Sequence, residues 1–215
     1  MTSLSALWPV ADLRVTCGDL SLEFLDDANL VALAELAGDG IHDPDVLPFN
    51  SPWSKGTPSE VSRRVLAYQW AVRGNVEPDG WRLELALVRA GEVLGVQGAF
   101  ATDFPVTRTA ETGSWLGRRH QGQGLGTTMR WMMLHLLFEG LGAQVATTAA
   151  FVDNPASQAV TRRIGYTQNG LDRVAREGAA VESRRFVLSR SDWSSSPRPE
   201  VTLSGVEPVR ELLGL

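Results

Sequence analysis

Residues 113–128 read GSWLGRRHQGQGLGTT, and they indicate more about the structure of this protein than any other part of the chain. An apolar strand ends at Leu116, glycines alternate through the turn that follows, and an apolar helical pattern begins at Thr127. Closely spaced glycines let a backbone approach a ligand and direct successive N–H groups at one point. The N-terminus of the next helix adds unpaired N–H groups and a partial positive charge. The stretch therefore predicts an anion site suited to a phosphate or pyrophosphate.

The spacing of the glycines restricts which phosphate site this turn can be. A P-loop requires Gly-Lys-Ser/Thr at the end of the turn, and this turn contains no lysine. A dinucleotide fingerprint reads G-x-G-x-x-G, whereas here the third glycine, Gly126, comes one position too early. From Gln121 to Gly126 the turn does match Gln/Arg-x-x-Gly-x-Gly/Ala, which resembles the pyrophosphate-binding motif of the GNAT superfamily of acyl-CoA-dependent N-acyltransferases. An ordinary glycine-rich turn is the alternative interpretation.

A second segment carries the same resemblance. Residues 154–170 read NPASQAVTRRIGYTQNG, which resembles the Asn-x-x-Ser…Gly-Phe/Tyr helix of the ribosomal-protein-alanine (Rim-type) branch of that superfamily. The order of motifs is also that of the branch: the GSWLG strand, the glycine turn, a helix, the strand QVATTAAF and the Asn-Pro helix. The strong match covers residues 111–170, and a weaker one covers residues 13–104 and 171–193.

Composition excludes several classes of protein. The chain has 215 residues, of which 43% are hydrophobic and 21% charged, and a formal net charge of −5, which argues against a nucleic-acid-binding surface. Cys17 is the single cysteine and no secretory signal pattern is present, so a cytoplasmic protein is expected. No apolar run approaches the roughly 20 residues that span a membrane. A membrane partner is therefore not expected. His42, His120 and His135 lack metal-ligand spacing, so no metal is expected either.

The hydrophobic patterns predict an α/β protein with the element order β-α-α-β-β-β-α-β-α-β-β. The resemblance implies a single-domain GNAT-like fold, with a mixed, mostly antiparallel central sheet of six to seven strands flanked by about four helices. We expect this domain to cover residues 1–193, followed by a linker and C-terminal extension at 194–215 that packs on the body or on a partner subunit. The sequence leaves a homodimer or higher homo-oligomer open. A long loop at 39–56 is expected to help shape the acceptor site.

The resemblance also implies where acyl-CoA binds. Backbone N–H groups from Gly122 to Thr127 would hold the pyrophosphate, and the strand end would pair with the pantetheine arm and polarise the thioester carbonyl. The Asn154 side chain would hold a pantetheine amide, although its other role is to cap a helix. Arg162 or Arg163 would meet the 3′-phosphate. The complete predicted cofactor set is Trp115, Leu116, Gly117, Arg119, Gln121, Gly122, Gln123, Gly124, Leu125, Gly126, Thr127, Asn154, Ser157 and Arg162.

Two residues are predicted to be catalytic. In the Rim-type branch a serine at the position of Ser157 passes a proton to the departing thiolate, and helix capping is its alternative role here. Many relatives carry a tyrosine where this chain has Thr161, which cannot reach as far. Glu111 shares a strand face with Trp115 and is the predicted base that takes the proton of the amine. Asp103 is the alternative base, and His120 comes after both.

These observations predict an N-acyltransferase that moves an acyl group, acetyl by default, from acyl-CoA to a primary amine. The amine would belong to a protein N-terminus or to a small molecule, and it would attack directly in a ternary complex. Succinyl transfer is an alternative if basic groups near the loop receive a distal carboxylate; the candidates are His42, Lys55, Arg63 and Arg64. The sequence also leaves open a non-catalytic acyl-CoA sensor on the same fold and a dinucleotide-dependent oxidoreductase.

Overall fold

The computed structural model describes residues 2–215 and contains one ten-stranded sheet with helices on both faces. The strands are β1 (Arg14–Cys17), β2 (Leu20–Phe24), β3 (Val76–Glu77), β4 (Gly80–Arg89), β5 (Glu92–Thr102), β6 (Thr109–Leu116), β7 (Val145–Phe151), β8 (Thr167–Arg176), β9 (Ala179–Ser189) and β10 (Thr202–Ser204). The α-helices are α1 (Leu4–Leu7), α2 (Asp27–Gly38), α3 (Pro58–Arg73), α4 (Phe104–Thr107), α5 (Leu125–His135), α6 (Pro155–Ile164), α7 (Arg190–Ser195) and α8 (Val206–Leu212).

The strand order is β10-β1-β2-β4-β5-β6-β7-β9-β8, with the short β3 paired to β4. All neighbours are antiparallel except β6 and β7. The α/β class and the mostly antiparallel mixed sheet are confirmed, but the predicted six to seven strands and about four helices are wrong. The alternation of residues 13–24 indicates either one strand or a hairpin, and the structure has the hairpin, β1 and β2. β3 and β10 are only two and three residues long. Four of the helices are at most seven residues long, too short to produce a helical period.

Two apolar cores hold the helices against opposite faces of the sheet. On one face, α5 buries Met129, Met132 and Met133 against inward-facing residues such as Leu85 of β4 and Ala110 of β6. On the other face, α2 and α3 pack on a smaller core that includes Val96 and, at its margin, Trp115. Because alternate residues of a strand face opposite sides, β6 contributes to both cores.

Capping residues in the sequence predict that the two helices on the second face begin at Asp26 or Asp27 and at Thr57, and the structure confirms both. The Asp26 carboxylate accepts a hydrogen bond from the Asn29 N–H at the start of α2. Thr57 and Glu60 form a reciprocal capping box at the start of α3, with Pro58 in its first turn. The loop between the helices is packed on the body: Ile41 and Leu47 are buried. This loop therefore forms a fixed wall beside β6.

The last residues of the chain extend the sheet. β10 pairs with β1, placing Leu203 opposite Val15, and α8 buries Val209. Leu213 beyond it is also buried. The segment thus packs on the same chain, at the sheet edge farthest from β8. Within residues 2–215, no helix has the length and apolar character needed to cross a membrane.

Candidate functional site

The parallel strands β6 and β7 separate after three pairs, and this separation opens the sheet. Their pairing covers only residues 109–111 of β6 and 145–147 of β7, although β6 continues to Leu116 and β7 to Phe151. Residues 112–116 therefore pair with β5 on one side only. We call the gap between residues 112–116 of β6 and the end of β7 the fork. A fork leaves a strand edge on which an extended ligand can hydrogen-bond.

The backbone groups that face the fork follow from strand alternation. The Gly117 N–H donates to the Leu94 carbonyl of β5, and the Gln97 side-chain amide of β5 donates to the Gly113 carbonyl. The backbone N–H and C=O groups of odd-numbered residues therefore point toward β5. The Thr112 carbonyl instead accepts from the Thr148 hydroxyl of β7 at 2.9 Å. The backbone groups of even-numbered residues thus point toward β7, so the N–H groups of Ser114 and Leu116 point into the fork. Leu116 belongs to the segment predicted to polarise the thioester carbonyl.

The glycine turn lies at the open end of the fork. Gly122 and Gly124 adopt positive φ angles of 73° and 80°, a region that glycine enters without steric cost. Gly124 is the N-cap of α5. Among the described residues, no acceptor binds the consecutive backbone N–H groups from Gly122 to Gly126. Such a row of unpaired N–H groups at a helix N-terminus suits a pyrophosphate, so the residues present fit this ligand.

Side-chain hydrogen bonds hold the turn in place. The Gln121 amide donates to the Leu116 carbonyl at 3.0 Å and to the Ile41 carbonyl at 2.6 Å, joining the turn to β6 and to the loop. The Gln123 amide donates to the Arg119 carbonyl at 3.0 Å. Gly117 is required for packing, because a Cβ there would overlap the Leu36 side chain of α2. The turn is therefore fixed before any ligand binds.

The two arginines before the turn are paired with acidic residues. Arg119 lies 3.3 Å from Asp39 and 3.2 Å from Glu92, and Arg118 lies 3.7 Å from Asp43. All three pairs are exposed, so they are weak and can exchange for another anion. His120 lies beside Glu92 and Arg119, and burial together with Arg119 lowers its pKa. These contacts place His120 next to the β4–β5 turn rather than beside Glu111.

The second motif forms the other side of the fork. The Asn154 side-chain oxygen accepts from the Ser157 N–H at 3.1 Å and caps α6, whereas its amide NH₂ donates to no residue in the described chain. The Ser157 hydroxyl is partly buried and likewise has no hydrogen-bond partner among residues 2–215. Thr161 is fully buried and donates to the Ser157 carbonyl at 2.9 Å, which excludes it from proton transfer. Asn154 thus caps the helix, and the Ser157 hydroxyl does not.

The arginines of α6 differ in orientation. Arg162 donates to Gln158 at 2.9 Å, and Arg184 of β9 donates to the same oxygen. Val160 faces α5, where it lies 3.6 Å from the position of a Cβ on Gly126. Residues three apart share a helix face, so Arg163 lies on the α5 side and Arg162 does not.

On the α2–α3 face, Glu111 borders a cleft whose floor consists of two glycines. Gly98 of β5 is paired with Gly113 of β6, and Glu84 of β4 stands beside Gly98 in the same row. The next residues on this face are Glu111 on one side and Trp115 on the other. We call this hollow the glycine-floored cleft; its boundaries are Tyr68, Glu84, Glu111 and Trp115. Burial raises the pKa of Glu111, and the nearby Arg82 opposes the shift.

Aromatic rings of the loop close one end of the glycine-floored cleft. The Trp53 ring centroid lies 5.8 Å from that of Trp115 and 4.8 Å from that of Phe49.

The four basic groups that could have received a distal carboxylate make hydrogen bonds within the protein; they are His42 to Ser54, Lys55 to Glu177, Arg63 to Ser59 and Arg64 to the carbonyls of Trp53 and Lys55. The loop therefore supplies an aromatic wall more than a cationic pocket.

Two charged groups were missed in the sequence analysis, one at the fork and one in the glycine-floored cleft. Arg130 of α5 is 4% exposed and donates to Thr148 of β7 at 3.2 Å and to Ser114 of β6 at 3.1 Å. It joins the strands where their pairing stops, and an arginine within the apolar run TTMRWMMLHLL was the available signal. The other missed residue is Glu84, for which the alternation of RLELALV indicated only a strand face.

Residues 2–215 contain no cluster of His, Cys, Asp or Glu able to hold a metal ion.

Comparison with known proteins agrees with this geometry. Residues 20–167 match the model of the acetyltransferase (GNAT) domain family. YdaF of Bacillus subtilis (strain 168), named as a ribosomal N-acetyltransferase, is 31% identical over 134 residues, covering 56% of this chain and 70% of YdaF. The ribosomal-protein-serine acetyltransferase of Escherichia coli (strain K12) is 31% identical over 101 residues, covering 46% of this chain and only 56% of that protein.

Among solved structures, Mycobacterium smegmatis RimJ in complex with CoA-disulfide superposes with a TM-score of 0.67 at 19% identity, covering 86% of this chain and 88% of RimJ. This likeness concerns the fold. The family match extends over most of the chain and includes the fork, the glycine turn and the start of α6. The chain therefore belongs to the GNAT family of acetyltransferases and is an acyl-CoA-dependent N-acyltransferase.

Proposed function

We propose that the protein transfers an acetyl group from acetyl-CoA to a primary amine by direct attack within a ternary complex. The observation that carries the proposal is the fork, which opens at one end onto the unpaired N–H groups of Gly122 to Gly126. The glycine-floored cleft lies on β6 as well, so a thioester in the fork and an amine in the cleft could meet at one strand.

The predicted cofactor residues would divide the binding of acyl-CoA between them. The turn, from Gln121 to Thr127, would hold the pyrophosphate, and the edge formed by Trp115, Leu116 and Gly117 would pair with the pantetheine arm. The free NH₂ of Asn154 supports a hydrogen bond to a pantetheine carbonyl. Arg163 is the better candidate for the 3′-phosphate, because it lies on the face of α6 that is directed at α5, whereas Arg162 donates to Gln158. Arg119 would reach a phosphate only by exchanging its partners Asp39 and Glu92.

The acceptor is proposed to be the amino group of a protein N-terminus, with a small-molecule amine as the second candidate. YdaF is named as a ribosomal N-acetyltransferase and the Escherichia coli relative as a ribosomal-protein-serine acetyltransferase, and both names support a protein acceptor. The glycine-floored cleft agrees with a cationic acceptor, because carboxylates and aromatic faces both attract an ammonium. His42 and Lys55 of the loop and Arg63 and Arg64 of α3 are all hydrogen-bonded within the protein, which supports acetyl over succinyl as the acyl group.

A thiol-release assay tests this function. The protein would be incubated with acetyl-CoA and, in parallel, succinyl-CoA, against N-terminal peptides and small amines, with mass spectrometry of the products. We expect release of CoA thiol that depends on the amine and on acetyl-CoA. Tight CoA binding without turnover for any amine would instead support a non-catalytic sensor, and faster turnover with succinyl-CoA would reverse the choice of acyl group.

Replacing Glu111 by glutamine is expected to lower kcat/KM at neutral pH by about 10-fold, with partial recovery at alkaline pH. The substitution keeps the shape and removes a charge that attracts an ammonium, and at alkaline pH the amine arrives neutral. The measurement is a pH profile of kcat/KM with a fixed amine.

Asp103→Asn is the matched control for this prediction and tests the alternative base. Asp103 is exposed at the end of β5 with a φ of 49°, a conformation that asparagine also tolerates. We expect wild-type rates from Asp103→Asn. Wild-type rates from Glu111→Gln together with a loss from Asp103→Asn would show that Asp103, and not Glu111, is the carboxylate that acts on the amine.

The division into a domain at 1–193 and an extension at 194–215 remains part of this proposal, as does assembly into a homo-oligomer. In support of the first, β10 is the edge strand beyond β1, at the end of the sheet away from the fork. Light scattering of the purified protein would give the oligomeric state.

A further inference from the structure

The glycine-floored cleft contains a second carboxylate besides Glu111. Glu84 lies over Gly98: a Cβ added to Gly98 would lie 2.6 Å from the Glu84 Oε1 atom. At Gly113, the next position in the row, a Cβ would have no heavy atom within 4 Å. The Glu84 carboxylate therefore leans toward β6 across one glycine and faces open space above the other.

Tyr68 of α3 connects this carboxylate to solvent. Its hydroxyl donates to the Glu84 Oε1 atom at 3.1 Å, and the residue is 46% exposed at the mouth of the glycine-floored cleft. Burial and the Glu84 charge raise the pKa of Tyr68 to about 12, so the hydroxyl stays a donor at neutral pH. Burial raises the pKa of Glu84 to about 7, and the hydrogen bond from Tyr68 acts in the opposite direction.

The titratable groups that face Glu84 come from α3, β4 and β6. Tyr68 faces it from α3, Arg82 lies two residues earlier on β4, and Glu111 projects from β6 on the same face. Arg82 stacks on the Phe100 ring, with its guanidinium carbon 4.6 Å from the ring centroid, and shares a row with Glu111 rather than with Glu84. Arg82 thus favours the ionised form of Glu111 more directly. A proton arriving between the two carboxylates is more stable on Glu84.

We propose that Glu84 is a further catalytic residue: in place of the predicted base Glu111 it takes the proton from the acceptor ammonium, while Glu111 attracts that ammonium into the glycine-floored cleft. This inference rests on the proposed function and specifies its acceptor site. The substrate class is a primary amine that arrives protonated.

The proton balance is complete with the groups named. One proton passes from R–NH₃⁺ to the Glu84 carboxylate, leaving R–NH₂ with its lone pair free to attack the thioester carbonyl carbon. The C–N bond forms, the C–S bond breaks, and the thiolate receives the second proton of the nitrogen, directly or through Ser157. Glu84 then releases its proton toward solvent past Tyr68. The products are the amide, CoA thiol and one proton.

Glu84→Gln tests the inference, because it keeps the hydrogen bond from Tyr68 and removes the proton acceptor. We expect kcat/KM at pH 7 to fall by about 10²-fold, with an unchanged Kd for acetyl-CoA. In the wild type, kcat/KM should rise through an acid limb near pH 7, since the ionised carboxylate is the active form. That limb should persist in Glu111→Gln and disappear in Glu84→Gln.

Two further variants make the test decisive. Glu200→Gln removes the same charge from an exposed position near the C-terminus and should leave the profile unchanged. Tyr68→Phe removes a bond that stabilises the ionised carboxylate, so the acid limb should move to higher pH. If the wild type transfers acetyl groups while Glu84→Gln keeps its rate and its acid limb, or Tyr68→Phe leaves the limb in place, the inference is overturned and the proposed function stands. If the wild type transfers to no amine, both fail.

Discussion

Gly124→Val is expected to weaken CoA binding by about 10²-fold or more while the protein remains folded. Gly124 has a φ of 80°, where a side chain costs about 1–2 kcal/mol. Its Cβ would meet no protein atom within 4 Å, so the protein itself has room for valine. The added atoms would occupy space beside the unpaired N–H groups, and each charged hydrogen bond lost there costs about 1.5–3 kcal/mol. Isothermal titration with CoA measures the effect.

Gly18→Val is the control that separates backbone strain from loss of the ligand. Gly18 has a φ of 59° in the turn between β1 and β2, and a Cβ there also meets nothing within 4 Å. Both variants should lose a similar free energy of unfolding, but only Gly124→Val should lose CoA affinity. Equal CoA affinity in the two folded variants would contradict a pyrophosphate site at this turn.

Ser157→Ala is expected to lower kcat by about 10²-fold, with little change in the Kd for CoA. The reason is that the hydroxyl is committed to no partner in the described chain, while Asn154 already caps the helix. A hydroxyl at the mouth of the fork is then available to pass a proton to the leaving thiolate. Steady-state kinetics with a saturating amine give kcat, and titration gives the Kd.

The competing role for Ser157 predicts a different pair of results. Ser189 caps α7, accepting from the Asp192 N–H at 3.1 Å, so Ser189→Ala shows what loss of a cap does: about 1 kcal/mol of stability and no loss of kcat. Should Ser157→Ala keep its kcat, as Ser189→Ala is expected to do, the Ser157 hydroxyl takes no part in proton transfer and an ordered water becomes the proton donor.

Local sequence was sufficient for the elements with strong short-range signals. The glycine turn, the capping box of Thr57 and Glu60, and the Asn-Pro start of α6 were all predictable, because each depends on backbone angles and hydrogen bonds within a few residues. The sequence pattern predicts strands only at 171–174 and 183–188, shorter than β8 and β9. The edge strand β8 in particular is largely exposed and polar and therefore lacks an apolar alternation.

The glycine turn and the Asn-Pro helix, both visible in the sequence, are enough to predict a GNAT-type α/β protein with a phosphate-binding turn between a strand and a helix. The folded chain was needed to show where β6 and β7 separate, that Arg130 bridges them, and that Arg162 and Arg163 face different sides of α6. It also placed Glu84 over Gly98 and Glu111 beyond Gly113. Strand register and helix orientation depend on contacts between distant segments, and a shift of one residue reverses the face of every side chain. For that reason the carboxylates of the glycine-floored cleft could be assigned together only from the folded chain.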